Sequence, residues 1–481
     1  MMKKTKIVAT IGPASESQEM LEKLVNAGMD VCRLNFSHGT HEGALVQVEN
    51  IRAVAKKLGT TTAILQDLSG PKIRIGDFYQ ERVVLKKGSI FTLTTKSIVG
   101  DETKVFVNYK ALPKEIKKGD TILLDDGKKN LEVISVTEDE VKCRVIVGGE
   151  TKGRRGVNLP GVSLNISCLT PKDKKDLVFG IEQKVDFIAL SFVRRAKDIE
   201  ELRKILTKAQ STAKIIAKIE TQEAIQNIDA IIAITDGVMV ARGDLAVEVR
   251  AEEVPLLQKM IVEKCNLVGK PVIVATQMME SMITSPVPTR AEVSDVANSI
   301  LDGADAVMLS EESALGHYPV ETVTMMSKVA HMIEKNYPNR PMRTASSLGV
   351  QKGDCELPRV YKEVIDAVTL SVVKTATAVG ARAIVALTES GFTARQVSRF
   401  HPEQPIVVMS PHESVLKQIS LSYGCYSVHA EKLLTIDEVM KKVRTVMLTH
   451  KFAKKGDKVV IVAGMPFGHM GGTNMLLIEV I

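Results

Sequence analysis

Between Lys6 and Leu309, short apolar runs alternate with stretches of helical periodicity, and the number of those runs restricts the fold most. Runs at residues 7–11, 31–36 and 62–68 come first, and runs at 187–193, 214–219, 237–245, 271–276 and 306–309 follow later. Each has a strand's length and an Ile, Val and Ala content suited to burial on both faces. A βαβα order requires a parallel sheet, and eight such units predict a (β/α)8 barrel. A doubly wound open sheet is the competing arrangement; the count favours the barrel. Local punctuation agrees. Ser15 with Gln18 reads as a capping box, opening a helix with Met20, Leu21, Leu24 and Val25 on one face and Gly28 at its end. Thr170-Pro171 reads as an N-cap followed by proline at the first helical position.

The alternation breaks after the third run. From Gly70-Pro71 the chain turns all-β, with runs at 83–85, 90–93, 105–107, 121–124, 131–136 and 141–147 between glycine-containing turns. This predicts an inserted small all-β barrel or sandwich over 71–169, with the main barrel built from 1–70 and 170–340. Residues 336–357 have a linker's composition. A second α/β pattern then runs through 355–481, with helices at 361–379 and 395–400 and strands at 383–387, 406–409, 425–428, 458–463 and 474–481. It predicts a separate C-terminal α/β domain.

Composition serves mainly to exclude. Aromatics are 4% of the chain and tryptophan is absent, which argues against a stacking platform for single-stranded nucleic acid. A net charge of +7 without a like-charge run suits anionic small molecules better than nucleic acid. No apolar run reaches transmembrane length, and the run after Met1-Met2-Lys3-Lys4 is too short for a signal-peptide core. The expectation is a cytoplasmic protein without membrane or nucleic-acid partners. Its six cysteines are too dispersed for a disulfide framework.

In a (β/α)8 barrel, chemistry sits at the C-terminal strand ends. Those ends carry Arg33, Asn35, Ser37 and His38; then Asp67, Leu68, Lys72 and Arg74; then Lys218 with Glu220; then Arg242, Gly243 and Asp244; then Thr276 and Gln277; then Ser310, Glu311 and Glu312. Lys218 and Glu220, two apart on a strand, share a side. Taken alone they read first as a salt bridge. The whole set reads as a site with two halves. Glu220 and Asp244 offer carboxylates to a hard divalent cation such as Mg²⁺. Arg33, Arg74 and Lys218 offer fixed positive charge to phosphate oxygens. Backbone N–H groups at Gly243 and Asp244, where a strand turns into a helix, suit an anionic carboxylate. With no Ser–His pair, the set points to phosphoryl transfer. The P-loop pattern is absent, so a nucleotide must be held otherwise.

Five stretches carry a resemblance: Arg33-Leu34-Asn35-Phe36-Ser37-His38, Gly70-Pro71-Lys72-Ile73-Arg74, Lys218-Ile219-Glu220, Met239-Val240-Ala241-Arg242-Gly243-Asp244 and Ala275-Thr276-Gln277-Met278-Met279-Glu280-Ser281-Met282. The chain resembles the pyruvate kinase family nearly end to end, specifically its bacterial type with lysine in the monovalent-cation region. The resemblance implies transfer of phosphate from phosphoenolpyruvate to ADP, giving pyruvate and ATP in glycolysis. It implies catalytic roles for Lys218, Arg33 and Thr276, with Arg33, Lys218, Gly243, Asp244 and Thr276 binding substrate. It implies Mg²⁺ on Glu220 and Asp244, with Mn²⁺ as a substitute. Asn35, His38, Arg74 and Arg155 fall on the nucleotide side. The proton donor to the enolate is left open between Thr276 and a water chain. The β insert resembles a mobile lid.

Asn35, Ser37 and Asp67 match the family's monovalent-cation pocket; Leu68 falls in it where K⁺-requiring members usually have threonine, and Lys72 stands where they carry glutamate. An ammonium there implies activity without added K⁺. The C-terminal loop with Thr388, Ser390, Gly391, Phe392 and Thr393 resembles the family's effector loop, with residues 464–473 across from it. A sugar phosphate or AMP is the implied effector, and a homotetramer the implied assembly. Two other readings compete: a Mg²⁺-dependent lyase or aldolase on a similar barrel, which would lack Lys218, and a non-catalytic sensor, which would have lost Lys218, Glu220 or Asp244.

Overall fold

The computed structural model describes residues 2–337, 363–467 and 472–481. Eight parallel strands close a barrel in chain order: Lys6–Ile11, Val31–Asn35, Ala63–Asp67, Phe187–Leu190, Lys214–Ile219, Gly237–Ala241, Val272–Ala275 and Ala306–Leu309. The third and fourth pair directly, Leu65 opposite Phe187, although the β insert separates them in sequence. Pairing of Lys6 with Ala306 completes the ring. The strands are buried on both faces, which explains their continuous apolar runs. Val8, Leu65, Ile216, Met239 and Met308 fill the interior, while Ile7, Ala9, Ile215 and Val240 pack outward against the helices.

Element boundaries shift where sequence signals were mixed. The run at 237–245 is not one strand: it ends at Ala241, and Arg242–Glu248 is a short helix, so Gly243 and Asp244 lie in a first helical turn. The cap of helix Gln18–Ala27 is Ser17, whose hydroxyl accepts from the Met20 N–H at 3.2 Å. Ser15 is buried instead and closes the preceding turn on the Gly12 N–H at 3.1 Å. Helix Phe392–Ser398 begins earlier than the predicted 395, capped by Gly391 in the left-handed region at φ 78°. The predicted linker 336–357 falls almost wholly outside the described residues.

The insert has its own apolar core around Phe91, Leu93, Val105, Leu124 and Leu131. Its hydrogen bonding forms a six-stranded sheet and a two-stranded ribbon, Arg82–Leu85 with Gly149–Lys152, rather than one continuous ring. The C-terminal unit is an open five-stranded sheet, four strands parallel and Met475–Val480 antiparallel at its edge. Among the described residues no helix is long and apolar enough to cross a membrane, and five described cysteines are free and buried.

The N-terminal segment ties barrel and C-terminal unit together. Gly424 N–H donates to the Lys4 carbonyl at 2.9 Å, and the Lys6 ammonium donates to the Cys425 carbonyl at 2.6 Å. That segment is held in turn by Glu334, whose buried carboxylate accepts from the Lys4 N–H at 2.8 Å, the Thr5 N–H at 2.6 Å and the Thr5 hydroxyl at 2.7 Å. An apolar replacement would strand these buried donors. Glu334→Leu is therefore expected to destabilise by about 2–4 kcal/mol, read as a lower thermal unfolding midpoint. Glu334→Gln, which keeps one acceptor, should fall between; a midpoint equal to that of the unaltered chain would refute the strap.

Candidate active site

Four charged side chains converge on the floor of the barrel's C-terminal mouth. Arg33 Nε lies 2.7 Å from Asp67 Oδ2, Lys218 Nζ is 3.2 Å from Asp67 Oδ1, and Lys218 Nζ is 2.9 Å from Glu220 Oε1. The result is an alternating row, Arg33–Asp67–Lys218–Glu220, with no member more than 9% exposed. Isolated burial would cost several kcal/mol per ion, so the alternation lets these charges stay in the protein. The remaining valences are also used. Arg33 Nη1 donates to Thr10 Oγ1 at 2.8 Å, Lys218 donates to Ser191 Oγ at 2.7 Å, and Glu220 accepts from the Phe192 N–H at 2.7 Å.

Protonation follows from this geometry. Burial pushes the Asp67 carboxyl up, but Lys218 and Arg33 override it and hold its pKa below the ordinary value. Burial disfavours the Lys218 cation, yet Asp67 and Glu220 outweigh it, so the pKa is raised and the ammonium stays charged. Glu220 goes the other way: burial, reinforced by Asp244, outweighs Lys218 and raises its pKa. A buried carboxylate pressed by a second one, with one ammonium beside it, is an environment in which a divalent cation would favour the ionised form. Among the described residues no three acidic, histidine or cysteine side chains form a closed metal cage. A cation on Glu220 and Asp244 would thus keep positions open for ligand oxygens.

Beside this row the chain is strained. Thr276 and Gln277 have φ of 70° and 55° in succession, an arrangement costing about 1–3 kcal/mol per residue and unusual for β-branched threonine. Thr276 Oγ1 accepts the Gly243 N–H at 2.8 Å and donates to the Ala275 carbonyl at 2.6 Å. The Gly243 N–H is therefore already engaged, which leaves Asp244 to present the next N–H of that helix turn. Arg242 points away from the charge row and makes a two-fold ion pair with Asp295 at 2.6 Å. Glu312 caps its own loop, accepting from the Ser310 N–H at 2.6 Å and the Met279 N–H at 3.3 Å.

Above the floor, a cleft of about 720 Å³ opens between barrel and insert. His38, Lys72, Arg74, Arg155, Asp244 and Glu311 line it, so of the residues expected on the nucleotide side His38, Arg74 and Arg155 border one cleft with Asp244, and Asn35 does not. Arg155 lies 3.4 Å from Asp125, and Arg74 donates to the Arg154 carbonyl at 3.2 Å. Asn158 of the insert reaches Glu248 of the barrel at 3.2 Å. The expected monovalent-cation set is less convergent. Asn35 accepts the Ser37 N–H at 3.1 Å in a local turn, the Leu68 carbonyl takes the Ser191 hydroxyl at 2.7 Å, and Lys72 is exposed. Asp67 belongs to the charge row.

The C-terminal loop forms a distinct, smaller cleft of about 60 Å³, lined by Thr388, Ser390, Phe392, Thr393, Lys432 and Gly464. Thr393 Oγ1 lies 2.9 Å from Thr473 Oγ1, and Gly391 caps the following helix. Part of the facing loop, 468–471, lies outside the described residues.

Thr10, Ser191, Phe192 and Asp295 complete the barrel site, and the sequence reading named none of them. Thr10 and Ser191 lie at the ends of strands one and four, so the strand-end rule applied to all eight strands would have found them. Asp295 sits on a helix and carries no such signal. Ser191 and Phe192 also explain Gly70. Its φ is 67°, and a Cβ there would lie 2.8 Å from the Phe192 ring and 3.0 Å from Ser191 Cβ. Gly70→Ala should cost about 1–3 kcal/mol and weaken Mn²⁺ binding by shifting the residues that hold Lys218 and Glu220. Thermal unfolding and calorimetric Mn²⁺ titration check this; no change in either would mean Phe192 moves aside freely.

Comparison with known proteins agrees with the fold. Residues 2–323 match the family model "Pyruvate kinase, barrel domain", and residues 366–479 match "Pyruvate kinase, alpha/beta domain". A pyruvate kinase of Bacillus licheniformis is 45% identical over 483 residues, covering 100% of this chain and 81% of the relative. One from Clostridium acetobutylicum is 42% identical, with 100% of both chains covered. A crystal structure of a pyruvate kinase from Cryptosporidium parvum superposes with a TM-score of 0.91 at 35% identity, covering 99% of this chain and 96% of that one. The chain is an enzyme of the phosphotransferase class, and with the matched models, the relatives and the closed barrel in agreement, it belongs to the pyruvate kinase family.

Proposed function

We propose that the chain transfers the phosphoryl group of phosphoenolpyruvate to ADP, giving pyruvate and ATP, and so serves glycolysis. The observation that carries this is the buried Arg33–Asp67–Lys218–Glu220 row beneath a cleft lined by Lys72, Arg74 and Arg155. Arg33 and Lys218 hold the transferring phosphoryl group. Lys218 keeps its proton, so it brings a full positive charge to oxygens whose charge is redistributed in the transition state. It exchanges its two carboxylate partners for phosphoryl oxygens as substrate enters. Glu220 and Asp244 would hold Mg²⁺, or Mn²⁺ with the same oxygen preference, which would supply Lewis-acid polarisation of substrate oxygens. The Asp244 N–H seats the substrate carboxylate, while Gly243 fixes beside it the Thr276 hydroxyl, whose proton is already given to the Ala275 carbonyl. His38, Asn35, Arg74 and Arg155 face the nucleotide, with the insert, 71–169, closing over it to exclude water.

The exposed Lys72 ammonium supplies the positive charge that a monovalent cation provides elsewhere in the family, so K⁺ is dispensable. The loop of Thr388, Ser390, Gly391, Phe392 and Thr393 takes a sugar phosphate or AMP, supported by its cleft and by Lys432 in the wall. A homotetramer would make that binding cooperative. A coupled assay for ADP-dependent pyruvate formation in buffer free of Na⁺ and K⁺ tests the set. Turnover without added K⁺, rising when AMP or a sugar phosphate is supplied, is expected. No ADP-dependent pyruvate would refute the activity, strict K⁺ dependence the role of Lys72, and indifference to phosphorylated effectors the role of the loop.

Lys218→Met separates transition-state stabilisation from binding. It should lower kcat by at least about 10³-fold, since a charge on the transferring group is worth several kcal/mol in a buried site. Mn²⁺ affinity should hold or improve, because Lys218 no longer competes for Glu220. Weakened Mn²⁺ and phosphoenolpyruvate binding with kcat intact would contradict the assignment.

A further inference from the structure

We propose that Arg242, clamped by Asp295, is the positioning residue that fixes the Thr276 hydroxyl for protonation of the enolate. The inference rests on the phosphoenolpyruvate reading above and adds to it residues that are not members of the charge row. Thr276 stands in a backbone conformation that its branched side chain disfavours, followed by a second residue in the same region. Something must hold it there. Arg242 does so from below: its guanidinium donates to the Thr276 carbonyl at 2.8 Å and to the Ala275 carbonyl at 3.3 Å. These two carbonyls bracket the strained link. Asp295, from helix Arg290–Asp302, grips the opposite edge of the guanidinium through both oxygens at 2.6 Å. The Gln258 side-chain oxygen, from helix Val254–Val268, approaches at 3.4 Å. The planar fork of arginine suits this two-sided task, which a lysine cannot perform.

The next residue completes the clamp. Gly243 donates its N–H to Thr276 Oγ1 at 2.8 Å, so consecutive residues fix the carbonyl and the hydroxyl of one threonine. The hydroxyl proton goes to the Ala275 carbonyl at 2.6 Å. Two of the three hydrogen-bonding positions on Oγ1 are thereby committed, and the third is an acceptor lone pair. A group so constrained orients a water better than it gives up its own proton. In the protonation step the carbon–carbon π pair of the enolate takes a proton from that water to form the new C–H bond. The enolate oxygen closes the ketone carbonyl, and the resulting hydroxide is neutralised by solvent. Arg242 touches neither substrate nor water; it sets the direction of the lone pair.

Asp295→Asn loosens the clamp without altering any residue of the charge row. The readout is exchange of pyruvate methyl protons for deuterium, followed by NMR in D2O with Mg²⁺ and ATP, beside steady-state kinetics and Mn²⁺ titration. Exchange should fall by about tenfold or more while KM for phosphoenolpyruvate and Mn²⁺ affinity stay within about threefold. In a Thr276→Ala background, Asp295→Asn should add less than about twofold, because a residue acting through Thr276 has nothing left to act on. Exchange unchanged in Asp295→Asn overturns the proposal. So does a fully additive loss, or a matching fall in Mn²⁺ affinity that would mark general loosening. If Asp295→Asn does not fold, Asp295→Glu keeps the charge and displaces the guanidinium; selective loss of exchange supports the role and full retention overturns it. An unaltered chain that neither forms pyruvate nor exchanges its protons would instead refute the underlying activity.

Discussion

The contact on which the site depends is the pair of bonds from Lys218 to Asp67 and Glu220. Without it, the barrel mouth would bury two carboxylates against the single cation of Arg33. With it, charges alternate in space, the Thr10 and Ser191 hydroxyls accept from Arg33 and Lys218, and the Phe192 N–H donates to Glu220. The strands supply the geometry. Lys218 lies opposite Met239 in the neighbouring strand, and Arg33 sits between Leu65 and Thr10, so the flanking strands offer these side chains few partners beyond those of the row. A phosphoryl group and a divalent cation then enter a place where charge is already arranged, which is what preorganised stabilisation requires.

Floor and cleft solve different problems. The floor charges are buried, paired and short of water, so their interactions are strong and their positions fixed. Those of the insert are more open: Arg154 and Asp77 are both exposed, and Arg155 is exposed beside a half-buried Asp125. Exposed pairs contribute little, so they exchange partners at small cost when a nucleotide arrives. Specific chemistry belongs on the floor and adjustable charge on the lid. Asn158 reaches Glu248 across the cleft, while Arg194 holds the Leu164 carbonyl and Arg195 the Ser163 hydroxyl where the insert rejoins the barrel.

The fold was legible because eight apolar strand-length runs in βα order have few solutions. The charged strand ends were legible because Arg33, Asp67 and Lys218 interrupt otherwise apolar runs. What escaped was of three physical kinds. Ser191 and Thr10 are small polar residues whose types carry no signal until the strand end is known. The break at Ala241 was hidden because Arg242–Glu248 continues the run with Leu245 and Val247, and only the tertiary position of Gly243 and Asp244 makes a helix there useful. Asp295 acts from a helix surface on a residue 53 positions away, a separation no local pattern encodes. Lys72 and the loop of Thr388 and Thr393 stood out as motifs, but motif alone says little about which ion or effector they select.

Strain and charge meet at one helix turn. Arg242 holds the carbonyl of Thr276, Gly243 holds its hydroxyl, and Asp244 adds the carboxylate that raises the pKa of Glu220. Each of these features is unfavourable taken singly: a branched side chain in the left-handed region, a buried acid near another acid, a cation committed to backbone carbonyls. They persist because each is held by neighbours that are themselves well paired, Arg242 by Asp295 and Glu220 by Lys218 and Phe192. The protein's own side chains therefore satisfy one another's charges, and substrate and metal do not need to rescue an unstable fold. They need only offer better partners than Lys218 and Glu220 give one another, so binding proceeds as an exchange of ion pairs rather than the creation of new ones.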